Sequence, residues 1–524
     1  MSRSLMLALL TLTLGLAAPG VGWAQADTPE AAVAQGGVRG VTIDGTDQFL
    51  GLPYAAAPVR DLRFAPPAPA PAWNDVRDAG RAGPRCPQGG GPDTWSEDCL
   101  VLNVIRPSAP AAAPRAVMVY VHGGGATSGS AADNGGAVLA REGDIVVVTI
   151  NYRLGALGFL THPAVAAVEG QAGNYGVLDT RAALIWVRDN IRAFGGDPEK
   201  VTLAGESAGG TVICNLVAGE DAGTLFRGAI ISSDDCLHDV DDLTVSIARG
   251  LETARRLGCE EAADPLACLR GRSAVEILAA GGFAAPHYGG RTEPGRTAFD
   301  RIAEEGRASI PLMIGANAEE GRIAGPAFVG FDAADYRAWL RRLVDEENAR
   351  RIEALYPLDP AHGDHAAAEA ITRILTDSGM RGYGGCASLV LASNAARHGP
   401  VWFYEFADLN PPMWDGPDGW RFGAAHAAEL AYLWPDGVFQ SHSSRFDPAQ
   451  AELAQRMRRR WSAFVRTLSP NAEGLAPWPG VGETNAAIVF RPQGDVVVPT
   501  SGLSDDHRCA FWRSMPWIMD RGED

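Results

Sequence analysis

The stretch LAGESAGGTVIC, residues 203–214, decides how the rest of the chain is read. Its centre is Gly205-x-Ser207-x-Gly209, with an apolar run (Val201, Leu203, Ala204) before it and a helix-compatible run over 211–217 after it. A strand that turns sharply into a helix needs small residues on both sides of the corner, because larger side chains collide there. Ser207 is therefore either an exposed nucleophile on such a corner or an ordinary serine in a small-residue turn, and its surroundings must decide.

Outward from this stretch, apolar β-branched runs at 100–105, 117–121, 145–150, 201–204, 229–232, 312–315 and 401–406 read as buried strands. Helical patterns fall between several of them, notably at 178–193 and 211–217, and a further one spans 449–468. Between Cys268 and Leu312 no pattern is legible. Strands alternating with helices imply an α/β fold, a large central and mostly parallel sheet flanked by helices. Ser207 then follows a strand and opens a helix.

A serine nucleophile needs a base, an acid that orients the base, and amide donors for the oxyanion. The donors are supplied by His122-Gly123-Gly124-Gly125, directly after the 117–121 strand, together with the N–H of Ala208. Consecutive glycines let main-chain amides approach a substrate oxygen closely. The acid belongs in a loop after a strand, and MIGANAEEGR (313–322) offers both Glu319 and Glu320. Among ten histidines, spacing favours His426 in GAAHAAELAYLW only weakly over His362, His365, His398 and His442, which lie in polar segments.

Length and composition bound the alternatives. The chain has 524 residues and a formal net charge of −18, which argues against nucleic acid or an anionic membrane as partner. Residues 1–26 combine a basic start at Arg3, an apolar stretch and Ala24-Gln25-Ala26, the pattern of a cleaved secretory signal. The remainder, 27–524, shows no internal repeat or linker and is read as a single domain, secreted or periplasmic. The Arg458-Arg459-Arg460 run is read as a solvated helix face. No histidine and carboxylate cluster has ligand spacing, so neither metal nor organic cofactor is expected.

Eight cysteines in an exported chain can all pair. Cys86 with Cys99 and Cys259 with Cys268 flank short loops, each closure being worth about 3 kcal/mol on the chain-entropy model. Cys386 with Cys509 would close a much larger loop, leaving Cys214 and Cys236 as the fourth pair.

Several stretches together resemble the type-B carboxylesterase and cholinesterase family of α/β-hydrolases. They are FLGLPYAAAPV (49–59), SEDCLVLNV (96–104), HGGG (122–125), NYRLGALGFL (151–160), GNYGVLD (173–179), FGGDPEKVTLAGESAGG (194–210) and CAFWRSMP (509–516), in the family's order over nearly the whole mature length. The resemblance implies the α/β-hydrolase fold, hydrolysis of a small-molecule ester, Ser207 as nucleophile, Glu320 as acid and His426 as base. It implies Gly124, Gly125 and Ala208 as oxyanion donors. It prefers Glu320 because the family's acid directly precedes a glycine, here Gly321. Disulfides 86–99, 259–268 and 386–509 match the family's positions, whereas 214–236 does not come from it.

Departures carry expectations of their own. Ala126 stands where the family usually has an aromatic residue, which should leave room near the acyl site. Glu206 could attract a cationic substrate, but the short Cys86–Cys99 loop lacks the family's choline-binding tryptophan, so choline esters are not expected. Ser233-Asp234-Asp235 replaces a Ser-Gly pair, with Ser233 placed to back up the catalytic residues. The same residues would also serve amide, carbamate or lactone cleavage, or persist in a non-catalytic binding protein.

Overall fold

The computed structural model describes residues 28–515 except 171, 238–240, 282–285, 289–295, 308, 381, 383 and 415. The signal segment expected at 1–26 lies outside the described residues.

Eleven strands form the main sheet. In chain order they are β1 (Val41–Ile43), β2 (Thr46–Pro53), β3 (Val101–Pro107), β4 (Arg115–Val121), β5 (Val146–Ile150), β6 (Gly196–Glu206), β7 (Gly228–Ser232), β8 (Leu312–Asn317), β9 (Val401–Phe406), β10 (Ala486–Phe490) and β11 (Val496–Pro499). Their order across the sheet is β11-β10-β9-β8-β7-β6-β4-β5-β3-β2-β1. From β5 to β10 every pairing is parallel, while β11, β3, β2 and β1 add antiparallel edges.

The central strands are largely apolar because both faces are covered. In β4, Val117, Val119 and Val121 enter one core cluster while Met118 and Tyr120 enter the other. The covering helices include α1 (Tyr175–Asn190), α2 (Ala208–Val217) and α4 (Pro448–Thr467), while α3 (Ala366–Ser378) packs in a separate apolar cluster of helices and loops. Helix α4 begins where Asp447 and Gln450 cap each other's amides and Pro448 takes the first turn, where its missing N–H costs nothing.

All seven expected strands are present, with β6 extended back to Gly196. The helix expected at 178–193 begins earlier, at Tyr175, and its last residues form the 3-10 turn Ile191–Phe194. The illegible stretch after Cys268 holds a short helix, Ala274–Gly281, and a single π turn, Asp300–Glu304. The arginine run is not a solvated face. Arg460 is fully buried against Asp495 and the Ala476 carbonyl, and Arg458 pairs with Glu142 and donates to the Tyr432 carbonyl. Only Arg459 of the three is exposed.

Near the sheet's middle, the Arg153 guanidinium makes a bidentate pair with Asp179, both 2.8 Å bonds being buried. It fixes the segment after β5 to α1. Disulfides join Cys86 to Cys99, Cys214 to Cys236, Cys259 to Cys268 and Cys386 to Cys509, leaving no free cysteine. No described helix is long and apolar enough to cross a membrane.

Candidate active site

Strands β4, β6, β8 and β9 run parallel, so the loops leaving them gather at one edge of the sheet. Ser207 sits at the corner between β6 and α2 with φ 55° and ψ −130°, a conformation that costs a non-glycine residue about 1–3 kcal/mol. Its N–H donates to the Ser232 carbonyl at 3.0 Å and its carbonyl accepts Thr211 N–H. Gly209 is required here, since a Cβ would run into the Val121 carbonyl oxygen.

The turn after β4 lies against this corner. A Cβ on Gly123 would stand 3.1 Å from the Ser207 Cβ. Gly124 (φ 100°) and Gly125 (φ 61°) take conformations natural to glycine, and their N–H groups donate to no acceptor among the described residues. His122 frames the turn from below, stacked on Tyr152 with its Nδ1 2.8 Å from the Gly123 carbonyl. Burial pushes its pKa down to about 4, so it stays neutral.

Glu320 opens the 3-10 turn Glu320–Ala327 just after β8 and is fully buried. Its Oε1 accepts Asn317 N–H at 2.7 Å and its Oε2 lies 2.7 Å from His426 Nδ1. Helix α3 braces this turn through the Thr376 hydroxyl, which accepts Gly321 N–H at 2.9 Å. The other face of the imidazole, Nε2, is 2.8 Å from Ser207 Oγ. Three residues separated by 106 and 219 positions thus form one hydrogen-bonded chain. Glu319 turns elsewhere: its carboxylate accepts Ala424 N–H, which pins the loop carrying His426. Of the other histidines considered, His442 is buried edge-on to Trp414, not in a polar setting, and His398 lies 3.2 Å from the Ala303 carbonyl.

Two further carboxylates face the imidazole. Glu206 is buried with Oε1 3.4 Å from His426 Nε2; burial, reinforced by Glu320 and opposed by His426, raises its pKa to about 7. Glu429 is buried as well, raised to about 8 by burial and by Glu206 and Glu320, and its Oε2 accepts the Asn317 side-chain amide at 2.6 Å. Burial alone would lower the His426 pKa, but Glu320 first and then Glu206 carry it up to about 9. Asn317 escaped the sequence reading, and so did the part played by Glu429, which stands within the quoted GAAHAAELAYLW. The only signals were a polar side chain at the end of an apolar strand and a lone acid three residues after His426 in an otherwise apolar run.

Ala126 is 2% exposed and packs in the main core cluster, so its side chain lies behind the glycine turn. Ser233 is buried on β7's exit loop, its N–H bonded to the Gly315 carbonyl, and the Asp234 and Asp235 carboxylates turn to Thr211 and to Leu237 N–H. Among the described residues, the group close enough to ligate a metal is Cys214, Asp234 and Cys236, whose two sulfurs are bonded to each other.

A family model described as the carboxylesterase family matches residues 27–512. Fumonisin B1 esterase of Sphingopyxis macrogoltabida is 33% identical, covering 90% of this chain and 88% of its own. Para-nitrobenzyl esterase of Bacillus subtilis is 31% identical over 86% and 91%. Among solved structures, a PNB esterase superposes with a TM-score of 0.76 at 31% identity, covering 91% of this chain and 99% of that one. Aspergillus niger EstA does so with 0.79 at 27% identity, covering 94% and 99%.

Proposed function

The chain belongs to the carboxylesterase family and has its α/β-hydrolase fold, and from that premise we propose that it is an exported serine hydrolase of carboxylic esters working through a Ser207-His426-Glu320 triad. The observation that carries this reading is the unbroken chain from Glu320 through the imidazole to Ser207 Oγ, at 2.7 and 2.8 Å.

His426 Nε2 accepts the proton of Ser207 as Oγ attacks the ester carbonyl. The oxyanion is held by the N–H groups of Gly124, Gly125 and Ala208, each such donor being worth about 10² to 10³ in rate. The imidazolium then protonates the departing alcohol, and water activated by the same imidazole releases the acid from the acyl-enzyme. Glu320 holds the tautomer with Nδ1–H and stabilises the imidazolium. Glu206, lying beside Nε2, adds to that stabilisation and is not a site for cationic substrates.

Residues 27–524 act as one catalytic domain released from a signal segment at 1–26, in the cell exterior or periplasm. Four disulfides support that setting, because such bridges persist in oxidising compartments.

The name of the Bacillus subtilis relative makes para-nitrobenzyl esters the first substrates to try, with para-nitrophenyl esters as chromogenic probes beside them. Ser207→Ala should abolish their hydrolysis, and a variant as fast as the parent refutes the mechanism. Matched amides and carbamates, run alongside, should be cleaved far more slowly; faster amide cleavage would reassign the bond class.

A further inference from the structure

Against the first turn of α2 lies a carboxylate the mechanism above does not use. Asp234 is 2% exposed on the loop leaving β7, facing the start of α2. Its Oδ2 accepts the Thr211 hydroxyl at 2.6 Å and its Oδ1 accepts Cys236 N–H at 2.7 Å. Cys236 is in turn disulfide-bonded to Cys214 of the same helix. Helix α2 is therefore tied to one short loop twice, at Thr211 through a carboxylate and at Cys214 through sulfur.

That loop is anchored independently of α2. Ser233 N–H donates to the Gly315 carbonyl on β8, the strand that presents Glu320, and the Cys236 carbonyl accepts Phe299 N–H. The contact with α2 is also direct: a Cβ on Gly210 would stand 2.6 Å from the Asp234 Cβ. On the opposite side Gly209 lies against the Val121 carbonyl. The first turn of α2 is held between the end of β4 and Asp234, and Ser207, in its costly backbone conformation, opens that turn. Such conformations persist only where the surroundings enforce them. A buried carboxylate is unfavourable unless hydrogen-bonded, and the Thr211 hydroxyl and Cys236 N–H are the groups that satisfy Asp234.

Taking Ser207 as the nucleophile, we propose that Asp234 is a positioning residue: acting through Thr211 and Gly210, with the Cys214–Cys236 bridge behind it, it fixes the aim of Ser207 Oγ at His426 and of Ala208 N–H at the oxyanion. It touches no reacting atom.

The test compares Asp234→Ala, Asp234→Asn and Thr211→Val with the parent, using a para-nitrophenyl ester for turnover and a para-nitrophenyl alkylphosphonate for labelling. In labelling, Ser207 Oγ bonds to phosphorus, para-nitrophenolate leaves, and the serine proton passes to His426. Displacing reacting atoms by about 1 Å can cost on the order of 10²-fold, so Asp234→Ala should lower kcat about 10- to 100-fold with KM within about twofold, and slow labelling in parallel. Thr211→Val should lose at least about threefold in kcat, and Asp234→Asn, which keeps an acceptor, should recover part of the loss. If Asp234→Ala does not fold, the other two variants decide. Variants with parental kcat and labelling rates but lowered thermal stability overturn the proposal. A parent that neither turns over the ester nor takes up the phosphonate overturns the esterase reading, and this inference with it.

Discussion

Replacing Glu206 by Gln tests how the buried carboxylates tune the base. Glu206 Oε1 lies 3.4 Å from His426 Nε2. At that separation two unit charges attract by about 5 kcal/mol at an effective dielectric of about 20, which is a ceiling. Glu320 remains in the variant and the glutamine dipole replaces part of the lost field, so a loss of about 1.4–2.8 kcal/mol is expected, one to two pKa units. In the parent, His426 is carried up to about 9, above the ordinary 6.5, and a protonated imidazole cannot accept the serine proton. The rate kcat/KM should therefore rise with pH along an acid limb lying well above 6.5. In Glu206→Gln the limb should move to lower pH by one to two units. The alkaline plateau should fall about three- to tenfold, since the transition-state imidazolium loses part of the same attraction. Initial rates on a para-nitrophenyl ester across the pH range, corrected for spontaneous hydrolysis, give both quantities. A limb that stays in place, or moves upward, refutes the electrostatic account of Glu206.

Two stability tests follow from groups outside the site. Asp179→Ala strands the buried Arg153 guanidinium and should cost about 3–5 kcal/mol in urea unfolding; a change below about 1 kcal/mol would mean the pair is dispensable. His507 lies 2.9 Å from Asp377 and 2.7 Å from Glu405; burial opposes its charge, but these carboxylates raise its pKa to about 9 from 6.5. Its folded value is the higher one, so its contribution is complete below 6.5 and disappears as pH rises through about 9. The stability of His507→Gln should accordingly fall less steeply than the parent's across that interval, and parallel pH profiles would exclude the mechanism.

Legibility in the sequence followed burial only in part, since β10 is buried at all five positions and went unread. Strands β3 to β9 are covered on both faces and read as apolar runs. The edge strands did not stand out, because β2 mixes Thr46, Asp47 and Gln48 with Phe49 and Leu52, and Val496 and Val497 of β11 are each 42% exposed. Ser207 was legible because a sharp corner needs local small residues. Glu320 could not be separated from Glu319, nor His426 firmly from other histidines, by local pattern: the contacts that distinguish them span 106 and 219 residues. The family resemblance supplied that choice. The arginine run misled for a related reason, since what buries Arg460 is Asp495, 35 residues away.

The bridge between Cys386 and Cys509, 123 residues apart, makes that part of the chain a closed covalent ring. His426 and strands β9, β10 and β11 all lie within it, whereas Ser207 and Glu320 lie outside. A single proteolytic cut anywhere inside the ring would open a macrocycle without releasing a fragment. For a cut between 386 and 426 the imidazole would stay tethered to the serine's half of the molecule until a reductant separated the two pieces, whereas a cut beyond 426 leaves both on one piece.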